Sequence, residues 1–495
     1  VKTKEKASTM SDHGLASNRA SQHAGPAHKP DRSVRGGVSS GPFRPPAPQP
    51  HADPLNRLQL LIALRRNPLT IWRRAHFTEK HLAGPGLFGH GVFLADPAAI
   101  RHVLIDNVAN YRKDDLQLRV LSPGLGDGLL TAEGEAWRRA RRIVAPLFTP
   151  RRAATLAEAM KAPIDRHVGR LVRRRPGHGL DVSHLMTTLT FDVLAETLFS
   201  NVIDGGAEAF GQALTRYFET QGRIDPLDIF NAPAWLPRIG RIMAQPAIDF
   251  FERTVRDVVA SRTALMARGE AAPADLLSAL IAARDPDNGG GLSDTEVGAN
   301  IVTFIGAGHE TTANVLTWAL YLLAHAPDVR EAVEAEADAA GDDVVAAALD
   351  GERLAMTRAV IEEAMRLYPP VATLTRSAIA ADEAAGVPIP AGALVVIPPY
   401  VIHRHQLLWD QPALFRPERF LAQARAGIER CAYLPFGAGP RVCIGQQFAL
   451  VEAMMVLASL TRRLRFAYAG SAPPEPVQRI TLRPKGGMPM LVTRR

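Results

Sequence analysis

Phe436-Gly437-Ala438-Gly439-Pro440-Arg441-Val442-Cys443-Ile444-Gly445 is the stretch on which the reading of this chain turns. A helical pattern follows it, from Gln446 to about Leu460. A cysteine at the head of a helix gains from the partial positive charge there, and Arg441 adds a full charge two residues away. The glycines let the backbone approach a flat ligand and turn amide N–H groups toward sulfur. Those are the needs of a thiolate that ligates iron, which must be electron-rich yet guarded from protonation and oxidation. The bland alternative is a buried structural thiol, the commoner fate of a lone cysteine. Cys431 has no glycine frame and fits that alternative.

Upstream of this stretch the clearest helix starts at Ser293, where Ser293 and Glu296 form a capping box and Leu292 and Val297 form a staple. The helical pattern runs to about Ala324 and stops before Pro327, a length of roughly 45–50 Å at 1.5 Å per residue. Gly306 and Gly308 interrupt its middle and predict a kink or widened turn, serving either close packing or a groove for a ligand. Glu310 and Thr311 follow, an acid–alcohol pair suited to carrying protons and otherwise ordinary helix polar residues. A second helix, Thr357 to Tyr368, carries Glu363 and Arg366 at i,i+3 and ends at Pro369-Pro370. Strand-like pieces are few: Val92 to Leu94, Leu394 to Ile397, Ile480 to Leu482 and Met490 to Thr493. The fold class is mainly α with a small β part.

Several motifs in order give these residues a family context. Phe436, Gly439, Arg441, Cys443 and Gly445 fill the pattern Phe-x-x-Gly-x-Arg-x-Cys-x-Gly. Before it come Ala307-Gly308-His309-Glu310-Thr311-Thr312, then Glu363-Ala364-Met365-Arg366, then His403-Arg404 through Pro417-Glu418-Arg419-Phe420. In this the sequence resembles the cytochrome P-450 family of haem-thiolate monooxygenases, soluble bacterial-like members in particular. The resemblance implies the cytochrome P-450 fold as a single large domain. It implies haem b (iron protoporphyrin IX) with Cys443 as its iron ligand, Phe436 shielding the sulfur, and dioxygen as co-substrate. Glu310 and Thr311 become the proton relay, and Ala307 lies beside the haem. Trp137, Arg141, Arg376 and Arg441 become candidates for the two haem carboxylates; Trp137 and Arg141 share a helix face at i,i+4. Glu363, Arg366 and Arg419 become a buried structural network. The pocket is expected between the long helix, a loop at about Leu121 to Leu130, and Val371 to Thr375. Its lining is expected to include Leu121, Leu129, Leu130, Val302, Ala307, Val371, Ala372 and Leu374. A mobile roof is expected between about Phe210 and Phe250. The reaction implied is insertion of one oxygen atom into a lipophilic substrate, by hydroxylation or epoxidation. The alternatives are a haem-thiolate enzyme that uses or rearranges peroxide, and a non-catalytic haem sensor.

Bulk properties fit within these bounds. The 495 residues are 46% hydrophobic, ample for a large core. With two cysteines, a disulfide scaffold is excluded, and a reducing, cytoplasmic setting is expected. No apolar run is long enough for a transmembrane anchor. Residues 1–50, rich in Ser, His, Pro, Gly and Arg, are expected to be a disordered or non-native tail, and 51–495 the monooxygenase domain. The formal net charge of +8 permits a nucleic-acid partner, but no nucleic-acid motif is found, and none is expected to bind. The arginines cluster instead at Arg138, Arg139, Arg142, Arg151 and Arg152, more than two carboxylates can use. The surplus is expected to form a basic face beside Cys443 for a separate ferredoxin or flavoprotein electron donor.

Overall fold

Apolar residues at helical spacing need a surface to bury against, and the long central helix is the piece around which the others pack. In the computed structural model, which describes residues 43–495 apart from 87–88, 201–224, 230–231 and 234, this helix runs from Asp294 to Ala324. Its start is as expected: Ser293 caps it, Glu296 reaches back to the Ser293 N–H at 2.8 Å, and Val297 is buried. The helix continues through Gly306 and Gly308 without a break or a widened turn. A side chain on Gly308 would meet Leu194 Cδ1 at 3.1 Å, so the small residue lets the helix Val182–Phe199 come close.

The β part is a five-stranded sheet in the order His81–Gly86, Gly89–Leu94, Leu394–Ile397, Leu374–Ala378, Tyr111–Arg112. The pair Gly89–Leu94 and Leu394–Ile397 is parallel, with Val92 opposite Val395; Leu374–Ala378 then runs antiparallel, with Arg376 opposite Val395. The two late strand-like pieces are Leu482–Pro484 and Pro489–Arg494, and they belong to different sheets.

Arg366 and Glu363, on the helix Ala355–Leu367, have fully buried side chains. Arg366 grips both carboxylate oxygens at 2.6 and 2.8 Å and spends its remaining donors on the carbonyls of His403, Pro412 and Leu414. Arg419 stands 3.5 Å from Glu363, while the backbone N–H of Arg416 donates to Glu363 at 2.8 Å. One helix thereby anchors the irregular segment that leads to Cys443. Residues 43–50, expected to belong to the tail, are instead tied to the body: Phe43 stacks on His325 and the Tyr368 hydroxyl donates to the Pro46 carbonyl at 2.8 Å. The chain from Gly41 to Arg495 forms one compact unit. Most of the expected tail and much of the expected roof lie outside the described residues; of the roof, the helix Ile239–Ala267 is described. Among the described residues, no helix is long and apolar enough to cross a membrane.

Candidate functional site

Backbone geometry shapes the cysteine loop. Gly437 and Gly439 have φ of 72° and 73°, and a Cβ on Gly439 would lie 1.9 Å from the Leu104 carbonyl oxygen, so only glycine fits there. The Cys443 N–H donates to the Phe436 carbonyl at 2.9 Å, which closes the loop just before the helix Gln446–Thr461. The Cys443 side chain opens onto a cavity of about 910 Å³. That exposure is to internal space, because protein encloses the thiol on its other sides. Burial pushes the thiol pKa up, and the Gly445 amide and the Arg141 charge pull it back. The cation that acts on the sulfur is therefore Arg141, whose guanidinium donates to the Val442 carbonyl at 3.0 Å. Arg441 turns away instead: it pairs with Glu133 at 2.9 Å and lies over the Trp137 ring at 4.1 Å.

Along one rim of the cavity three cations, Lys113, Arg376 and Arg441, share two carboxylates among the described residues, Glu133 and Asp114. Arg376 is buried and its guanidinium donates to the Thr375 carbonyl at 2.7 Å. Lys113, which the sequence reading missed, is buried beside it and donates to the Leu130 carbonyl. Burial holds Lys113 down to about 7, with Arg441 and Arg376 adding to the effect. Glu133 is the acid that Lys113, Arg376 and Arg441 all feel. A flat group with two carboxylates would supply the missing negative charge, and the cavity above Cys443 is large enough for a macrocycle and a small molecule. These residues fit haem.

The cavity wall brings together Leu121, Leu129, Leu130, Ala307, Val371 and Leu374 of the expected lining, along with Trp137, Thr311 and Phe436. Two expected members are elsewhere. Val302 is partly buried and packs against a core cluster that includes Val255 and Ile301, because five residues from Ala307 put it round the far side of the helix. Ala372 is fully buried between Val371 and Thr373, which both line the cavity; in extended backbone the middle side chain points the other way. The expected loop at Leu121 is the helix Asp115–Leu125, with Pro123 inside it.

Thr311 faces the cavity, and its hydroxyl donates to the Ala307 carbonyl at 2.7 Å. Glu310 lies behind it, off the cavity wall, with Oε2 unpartnered among the described residues. Burial raises the Glu310 pKa; Arg483, 3.8 Å away, and the Thr481 side chain oppose that. Thr481 itself lines the cavity. Glu452, a second residue that the sequence reading missed, also lines it; it is buried and bonded by Thr312.

The expected basic face is altered. Arg139 pairs with Glu296 at 2.6 Å, Arg142 with Asp285 and Asp287 at 3.1 Å each, and Arg138 with Glu135 at 3.2 Å. Acids between positions 285 and 296 fold back against the helix Gly134–Val144, which carries these arginines, and the sequence spacing gave no reason to expect it. Arg151 and Arg152 remain exposed at the start of the helix Pro150–Val172.

The sequence profile of the cytochrome P450 family matches residues 88–490, and the chain belongs to that family. Cyclooctatin synthase of Streptomyces melanosporofaciens is 35% identical over 373 residues, 74% of this chain and 79% of that protein. Pentalenene oxygenase of Streptomyces avermitilis is 31% identical over 359 residues, 72% of this chain and 78% of that one. The Arabidopsis thaliana protein LUTEIN DEFICIENT 5, chloroplastic, is 30% identical over 429 residues, 82% of this chain and 71% of its own. Among solved structures, the cytochrome P450DA heme domain superposes with a TM-score of 0.77 at 25% identity, covering 91% of this chain and 99% of that one. The chain is thus a haem-dependent cytochrome P450 monooxygenase.

Proposed function

We propose that Cys443 ligates the iron of haem b, with dioxygen as co-substrate, and that residues 51–495 work as one monooxygenase domain. Arg376, Arg441, Lys113 and Trp137 would hold the two carboxylates, and Arg141 would steady the thiolate. Phe436 would shield the sulfur. Haem bound there supplies the activation of dioxygen for transfer of one oxygen atom. The single observation that carries this reading is Cys443 opening onto a cavity whose rim sets three cations against two carboxylates.

The chain's own part is positioning and proton traffic. Thr311 spends its proton on the Ala307 carbonyl, so its oxygen presents lone pairs to the cavity and can hold a water there. Glu310 is poised by burial against the Arg483 charge, so that it can take up and release a proton. Arg483 is partly exposed, which gives Glu310 contact with the solvent side, and Thr481 joins Glu310 to the cavity. Leucines 121, 129 and 130, with Val371 and Leu374, exclude water and suit a lipophilic substrate. The reading includes a cytoplasmic setting and a separate ferredoxin or flavoprotein donor that meets the exposed Arg151 and Arg152.

The test is the absorption spectrum of the reduced, carbon monoxide-bound protein. A Soret band at the thiolate position that disappears in Cys443→Ala supports the ligand. A band at the histidine-ligated position, or well-folded protein that takes up no haem, would overturn it.

A further inference from the structure

Three of the chain's seven tyrosines, Tyr321, Tyr368 and Tyr468, form one connected group of rings with Trp318. Fully buried in the central helix, Trp318 stacks on Tyr368 with ring centroids 3.8 Å apart and planes 12° apart. It meets Tyr321 edge-on at 6.0 Å, and Tyr321 meets Tyr468 at 5.1 Å. Tyr468 ends the strand Leu464–Tyr468, is partly exposed, and donates to the Ala472 carbonyl at 2.6 Å. The inner end of this path adjoins the cavity. Val315 and Met365 line the cavity, and Trp318 and Tyr368 each follow one of them by three residues, about one helical turn.

Aromatic packing alone would explain rings in contact, but it does not explain which rings are used. Trp318 Nε1 is buried with no hydrogen-bond partner among the described residues, which costs stability that phenylalanine would not. What indole and phenol offer beyond packing is that each gives up an electron far more readily than phenylalanine. With no base at Nε1, an oxidised indole keeps its proton and stays a strong oxidant of a neighbouring phenol. Arg404 biases the direction. Its guanidinium lies 5.7 Å over Tyr368 and 4.1 Å over Tyr400, and a cation there makes those rings harder to oxidise. Positive charge on Trp318 is therefore steered toward Tyr321 and Tyr468.

We propose that Trp318, Tyr321 and Tyr468 form an escape route for oxidising equivalents that no substrate consumes, carrying them from the cavity to the protein surface. The proposal rests on the reading that the cavity holds haem. Trp318 gives one electron to the over-oxidised haem centre, Tyr321 restores Trp318, and Tyr468 restores Tyr321. Tyr468 releases its phenolic proton to solvent and becomes a neutral radical. A small-molecule thiol then gives it a hydrogen atom, which restores the phenol, and two thiyl radicals combine to a disulfide.

The test uses holoenzyme whose carbon monoxide spectrum already shows thiolate ligation, so a failed haem assignment is recognised first. The protein is mixed with hydrogen peroxide without substrate, frozen, and read by electron paramagnetic resonance. A tyrosyl signal is expected in the parent, reduced severalfold in Tyr468→Phe and in Trp318→Phe. Haem bleaching in the presence of glutathione should be severalfold faster in both variants. A normal spectrum with no tyrosyl signal in the parent, or with signal and bleaching alike in parent and variants, overturns the proposal. If Trp318→Phe does not load haem, Tyr468→Phe, partly exposed and far along the path, carries the test.

Discussion

Below the cavity, Cys443 is held by a loop whose shape comes from ten consecutive residues: glycines at positive φ, one closing backbone bond, and the start of a helix. Above it, the wall is put together from segments as far apart as Leu121, Thr311, Val371 and Thr481. The first is a backbone device and stands in one stretch of sequence. The second depends on which way each side chain points once distant helices have packed, and one step along the chain turns lining into core, as Ala372 beside Val371 shows. The lower region should therefore fail all at once when altered, and the upper one by degrees.

The sharpest way to break that contrast is at the sulfur. Cys443→Ala is expected to lose the thiolate spectrum and monooxygenase turnover entirely while leaving the fold intact by circular dichroism. Graded, partial turnover in that variant would mean the lower region is not all-or-none. Next in size is the network that anchors the loop. Arg366→Ala removes the bidentate partner of the fully buried Glu363, leaving Arg419 at 3.5 Å and the Arg416 N–H, and is expected to cost about 3–5 kcal/mol as a broken buried pair. Denaturant unfolding should show that loss, together with poor haem retention; stability equal to the parent would remove Glu363 and Arg366 from the support of the loop.

The upper region should respond more gently. Thr311→Ala is expected to keep haem binding and electron uptake but to lower product formed per electron severalfold, measured as the ratio of product to NAD(P)H consumed. Unchanged coupling would take Thr311 out of the relay. Val371→Phe and Val302→Phe separate wall from core. The first should narrow the cavity and shift preference toward smaller substrates, read as a change in the ratio of kcat/KM values. The second should leave that ratio alone and destabilise the protein by about 1–3 kcal/mol through overpacking.

The same contrast explains what could be read in the sequence. Cys443, the capping box at Ser293 and the strand Leu394–Ile397 are local patterns, and each stands where its spacing put it. Glu363 and Arg366 alone look like a surface pair; only the fold supplies the three carbonyls that bury them. Arg139 and Arg142 read as free charges in the sequence because Glu296 and Asp285 lie 157 and 143 positions away. Lys113 gave no signal at all, since a lone lysine before a helix is ordinary until Arg376 and Arg441 arrive beside it.

Lys113 offers the finest test of how the two regions meet. In haem-free protein its pKa falls from 10.5 to about 7, chiefly because burial penalises the charged form. Between about pH 7 and 10.5 the unfolded chain therefore binds more protons at this site than the folded one does. Stability then rises with pH across that window, and the penalty for charging the buried amine is present in full below it. Lys113→Met should flatten this part of the stability profile, measured by urea unfolding at fixed ionic strength. Haem carboxylates beside the amine would favour its charged form, so loading the protein should also flatten the slope. If the slope of the parent were as steep with haem as without it, Lys113 would not face the carboxylates, and the excess charge on that rim would need another partner.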